Sequence, residues 1–113
     1  SIWYHIPYVD QDPVQLAEES IRITKEYDFD FIKMMPFGNY AQDYGLSVTF
    51  FCNHTQPALE RKFGIESIDD WKRIEPLPAY YGTYGKQLQF TQQLQKQLKG
   101  EDIPYIQTIF SPL

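Results

Sequence analysis

Apolar residues recur along this chain in two rhythms. From Asp12 to Tyr27 they fall on adjoining helical rows, Val14, Ala17 and Ile21 beside Leu16, Ser20, Ile23 and Tyr27. Asp12 followed by Pro13 supplies an N-cap and a proline at the first helical position, so a helix is predicted over 13–27. The next apolar run, "DFDFIKMM", is short, carries no helical period and stops at Pro36. It reads as a buried strand, and the crossover length of the helix before it favours parallel pairing.

Other segments follow the same logic. Ile2, Trp3, Tyr4, His5 and Ile6, stopped by Pro7, read as a first strand. Between Asn39 and Thr55 the pattern is mixed, with "LSVTFF" β-prone inside an excursion. "PALERKFG" reads as a short helix ended by Gly64, and Ser67 with Asp70 marks a capped start for "IDDWKRI". The longest helical pattern, about 80–99, places Tyr84, Leu88, Thr91, Leu94 and Leu98 on one side; glutamines and lysines form its solvated face, and Gly100 follows it. "YIQTIFSPL" is a third apolar strand.

The order of strand, helix, strand, excursion, helices, strand spells successive β-α-β units in an α/β fold. Three parallel strands leave uncovered faces and edges. A (β/α)8 TIM barrel built from such units takes about 250 residues. The expectation is therefore a single domain, 1–113, forming either a small open α/β sheet or a partial (β/α)8 barrel: its first three parallel strands, their connecting helices and an excursion after strand 2.

Composition narrows the function classes. With 42% hydrophobic residues, the 113-residue chain can build one core. Its formal charge of -5, with three arginines and seven lysines scattered along it, offers no cationic stripe, so no nucleic acid partner is expected. Its one cysteine, Cys52, permits no internal disulfide and fits a cytoplasmic setting. Apolar runs stay far short of the roughly 18 residues that suggest a membrane span, so no membrane partner is expected either.

Candidate chemistry gathers around the second strand. Lys33 shares one face with Phe31 and Met35, where a buried ammonium needs an anion: a substrate, or an acid such as Asp30 or Asp43. His5 lies near the end of the first strand, and Asn39, Tyr40 and Asp43 follow the second, which is the catalytic end of a barrel. Tyr80, Tyr81 and Tyr84 read as helix packing. His5, His54 and Cys52 lack metal-ligand spacing, so no metal site is expected. No phosphate loop or nucleophile elbow occurs, and the catalytic residues stay unassigned.

"SIWYH", the helix from Asp12, "EYDFDFIKMMP", "YAQDYG", "IDDWKRIEPL" and "PYIQTIFSPL", in that order, resemble the N-terminal part of the uroporphyrinogen decarboxylase family. Its superfamily also includes corrinoid-dependent methyltransferases. The resemblance implies a barrel enzyme of porphyrin biosynthesis, a lyase decarboxylating tetrapyrrole acetate side chains without a cofactor. It also implies that this chain is an N-terminal fragment, inactive alone. His5, Lys33, Asn39, Tyr40 and Asp43 become its expected substrate-binding residues.

Two departures stand out. The family's decarboxylases carry two arginines after the first strand, where this chain has "WYHIPYVD". They keep an aspartate after the second strand, and alignment through Gly45 puts Pro36 there. A divergent substrate is the consequence, since a polycarboxylate wants guanidinium partners. The methyltransferase alternative implies zinc and a corrinoid, with ligands outside this chain. An alternative of another class is a non-catalytic α/β binding or assembly module. In either case, the isolated chain is expected to self-associate through uncovered edges.

Overall fold

The computed structural model describes residues 5–35, 43, 47–50 and 59–109. Its elements run α1 (Pro13–Glu26), β1 (Ile32–Met34), β2 (Ser47–Phe50), β3 (Leu59–Phe63), α2 (Ile68–Trp71), α3 (Gly82–Gln97) and β4 (Tyr105–Gln107). They make two small sheets. β1 pairs parallel with β4, Ile32 opposite Tyr105 and Met34 opposite Gln107, while β2 and β3 form an antiparallel pair.

Helix α1 begins as its sequence dictates. One Asp12 carboxylate oxygen accepts the Val14 and Gln15 backbone N–H groups at 2.8 and 3.1 Å, and Pro13 gives up no needed donor. At the other end Asp28 takes the left-handed conformation, φ 53°, and the Phe29 N–H reaches back to the Thr24 carbonyl at 2.9 Å. That is a Schellman closure with aspartate where glycine is usual. It turns the chain sharply, and Phe29 packs against the core.

The core lies between the parallel pair and helices α1 and α3. Leu16, Ala17, Ile21 and Ile23 come from α1, Ile32 and Met34 from β1, and Phe90, Leu94 and Leu98 from α3 and its C-cap. Ile32 and Met34 are 2% and 1% exposed, whereas Phe31, Lys33 and Met35 are only half-buried. Period-2 alternation thus separates a core face of β1 from a second face. The parallel ladder extends at both ends, Ile32 N–H to Pro104 and Thr108 N–H to Met34. Lys25 on α1 is also bonded to Glu101, before β4, at 2.6 Å.

The sequence reading needs three adjustments. The expected helix at "PALERKFG" is strand β3, paired with β2 in a register that shifts by one residue after Val48. Leu, Glu, Arg and Lys favour a helix only until a neighbouring strand offers its ladder. On α3 the expected row holds at its C-terminal end, where Leu94 and Leu98 are buried, but nearer the start the buried side is Thr83, Gln87 and Phe90 rather than Tyr84 and Leu88, so one glutamine faces inward. The expected first strand lies outside the described residues except for His5 and Ile6, which belong to no strand. By contrast, α2 starts at Ser67 as expected, where the Asp70 carboxylate accepts the Ser67 N–H at 2.7 Å.

Candidate functional site

Between Pro7 and α1 the chain folds back on itself. The Val9 N–H bonds the Ile6 carbonyl at 3.0 Å and the Asp12 N–H bonds the Val9 carbonyl at 2.9 Å. These turns bury Ile6 and carry Asp10 inward with it, leaving Asp10 only 7% exposed. A buried carboxylate requires partners. Gln11 Nε2 donates to Asp10 Oδ1 at 2.9 Å, and Lys86 of α3 donates to Gln11 Oε1 at 3.1 Å.

Asp10, His5 and Lys33 line one cleft together with Phe31, Met35 and Ser20. Burial pushes the Asp10 carboxyl above the usual carboxylate range, against the opposing pull of the Gln11 hydrogen bond and the charges of His5 and Lys86. The cleft offers about 40 Å³, room for one or two waters or a single carboxylate. Chemically, the site joins an acid that holds its proton more firmly than a free aspartate to two groups able to face an anion.

The candidates named from sequence distribute unevenly. His5 and Lys33 meet in this cleft. Asn39 and Tyr40 lie outside the described residues. Asp43 stands elsewhere, at the start of α3: its Oδ2 accepts the Thr83 N–H at 2.6 Å and its Oδ1 the Thr83 hydroxyl at 3.0 Å. Asp10 was missed, because an aspartate in "YVDQDP" reads as an ordinary turn residue until the turn is seen to fold onto the core.

Glu19 is held below the usual carboxylate range, chiefly by the hydrogen bonds from Arg22. Arg22 Nε lies 2.8 Å from Glu19 Oε2, and the Tyr8 hydroxyl donates to the same carboxylate. This cluster braces the Pro7–Asp12 turn against α1 from outside. No group of three His, Cys, Asp or Glu side chains among the described residues converges as a metal site would require. No helix among them is long and apolar enough to cross a membrane.

Comparison with protein-family models, curated proteins and solved structures found no match to this chain. The functional reading therefore rests on the residues themselves.

Proposed function

We propose that this chain is the N-terminal portion of a uroporphyrinogen decarboxylase-like barrel enzyme, with the His5–Asp10–Lys33 cleft at its substrate end. The observation that carries the reading is the parallel pairing of Ile32–Met34 with Tyr105–Gln107, with α3 in the intervening chain. This is the connection a β-α-β unit makes, and it falls on the two segments, "DFDFIKMMP" and "PYIQTIFSPL", that resemble the family's strands.

The cleft suits one carboxylate of a larger substrate. Lys33 and His5 would face the anion, and Asp10, with its raised pKa, would serve as a proton donor. Loss of carbon dioxide from an acetate arm leaves carbanion character that must be protonated, so an acid beside the bound arm meets a real need. The remainder of a tetrapyrrole would lie outside the cleft, which is far too small for it. Asn39 and Tyr40 remain proposed substrate contacts.

The missing arginines in "WYHIPYVD" and Pro36 in the aspartate's place favour a second reading, corrinoid-dependent methyl transfer on the same fold. The test is to express the complete reading frame and supply uroporphyrinogen, then separately a methylcorrinoid with a thiol. Decarboxylated porphyrinogen supports the first reading. Methyl transfer alone overturns it in favour of the second, and inertness toward both overturns both.

A further inference from the structure

The buried acid of the cleft is held by a neighbour that is itself held from across the fold. Asp10 and Gln11 sit on the turn that ends at the Asp12 cap of α1, where the Asp12 N–H bonds the Val9 carbonyl at 2.9 Å. Gln11 Nε2 donates to Asp10 Oδ1 at 2.9 Å, and Gln11 Oε1 accepts from Lys86 Nζ at 3.1 Å. Lys86 comes from the second turn of α3, 75 residues further along the chain than Gln11. Gln11 and Lys86 are half-buried and Asp10 is buried.

A carboxamide has two unlike ends, and one arrangement satisfies both of these neighbours. An ammonium group donates and never accepts, so Lys86 requires the Gln11 oxygen. The amide nitrogen is thereby turned toward Asp10, where Oδ1 supplies the acceptor it needs. Turning the amide over would set its N–H groups against the ammonium and its oxygen against the carboxylate, losing both bonds. The Lys86 charge also polarises the amide and strengthens its N–H as a donor.

We propose that Lys86 is a positioning residue for the Asp10 acid: through the Gln11 amide it keeps a donor on Oδ1 and leaves Oδ2 as the oxygen that carries the proton. This deepens the reading of Asp10 as a proton donor and takes its catalytic meaning from that reading. The same contacts limit how firmly the proton is held. Burial raises the Asp10 pKa, while the Gln11 hydrogen bond and the charges of His5 and Lys86 pull it back down. An acid that holds its proton too tightly is a poor donor near neutrality, so this opposing pull keeps Asp10 useful. Among the described residues, the charged or titratable groups around Asp10 are His5 from the segment before the turn, Lys33 from β1 and Lys86 from α3; α1 lines the cleft with Leu16, Ser20, Ile23 and Thr24.

The experiment is an NMR titration of the Asp10 carboxyl carbon in the full chain, in the unaltered protein, Lys86→Met, Gln11→Leu and the variant carrying both. Lys86→Met is expected to raise the Asp10 pKa by about half a unit to one unit, the scale of a weakened hydrogen bond to a charged group. The same change made on top of Gln11→Leu should have a much smaller effect. His5 and Lys33 are common to all four proteins, so their influence cancels in the comparison. Lys86→Arg, which keeps the charge and the donors, should restore the unaltered value. Additive effects would overturn the proposal, because they would show the Lys86 charge acting on Asp10 without the amide, and so would an Asp10 pKa untouched by Lys86→Met. Should Lys86→Met not fold, the Gln11 side-chain amide signal of the unaltered chain decides: it is expected to shift with the Asp10 midpoint, and a signal indifferent to that midpoint overturns the proposal. None of these measurements needs turnover, so a complete protein inert toward uroporphyrinogen would remove the catalytic reading of Asp10 while the titration still decides the role of Lys86.

Discussion

Asp43 closes the N-terminus of a helix that begins about 40 residues further along the chain: both its carboxylate oxygens are bonded to Thr83, one to the backbone N–H and one to the hydroxyl. Helix α3 has no cap of its own, since its N-cap residue, Tyr81, supplies no side-chain hydrogen bond. The approach depends on Gly82, whose φ is +49° and where any Cβ would collide with the Asp43 carboxylate. A long-range cap thus links the segment after β1 to the helix that leads into β4.

Replacing this cap should be measurable. Asp43→Ala is expected to lower stability by about 1 kcal/mol, the usual cost of a lost N-cap, with Asp43→Asn milder because one acceptor survives. Gly82→Ala should cost more than Asp43→Ala, as it combines strained backbone with the collision. Urea denaturation of the three variants checks the order; a harmless Gly82→Ala would contradict it.

At the other end of α1, Asp28 occupies the left-handed position that glycine fills without strain. Asp28→Gly is expected to stabilise the fold by about 0.5 kcal/mol, the relief of strain exceeding the added freedom of the unfolded chain. A thermal melt showing a lower midpoint for Asp28→Gly would show that aspartate does something there beyond closing the helix.

The carboxylates act on pH dependence in opposite senses. Asp12 is held below its ordinary range by the backbone N–H groups of Gln15 and Val14, and Glu19 by Arg22. Their folded pKa values lie below the unfolded ones, so their stabilisation is present above the normal carboxylate range and lost as pH falls through the folded values. Asp10 is the reverse: its folded pKa is raised, so its contribution is favourable in acid and is lost as pH rises through that value. Asp12→Ala should therefore lower the melting temperature at neutral pH and make little difference in strong acid. Asp10→Asn should remove a loss of stability that the unaltered chain shows between acid and neutral pH. Melting curves across pH 2 to about 7 test both.

What could be read from the sequence was what local chemistry determines. The Asp12–Pro13 start of α1 and the Ser67–Asp70 start of α2 involve residues within one turn of each other, so their pattern is their mechanism. β1 was visible because a short apolar run without helical period has few alternatives. β3 was not, because "LERKF" becomes a strand only through its partner. Asp10, Asp43 and Gln87 share that difficulty: each is a commonplace polar residue whose role comes from a distant contact. Gln87 lay within a glutamine-rich helix whose composition disguised the inward position.

The claim that the cleft belongs to a decarboxylase-like enzyme is tested most directly by kinetics of the complete reading frame on uroporphyrinogen, comparing the unaltered protein with Lys33→Met. Decarboxylation by the unaltered protein is expected, with a KM raised roughly tenfold or more in the variant, the scale of a lost charge-assisted contact to a carboxylate. An unaltered protein that releases no carbon dioxide from uroporphyrinogen, or a Lys33→Met variant with unchanged KM, would contradict it.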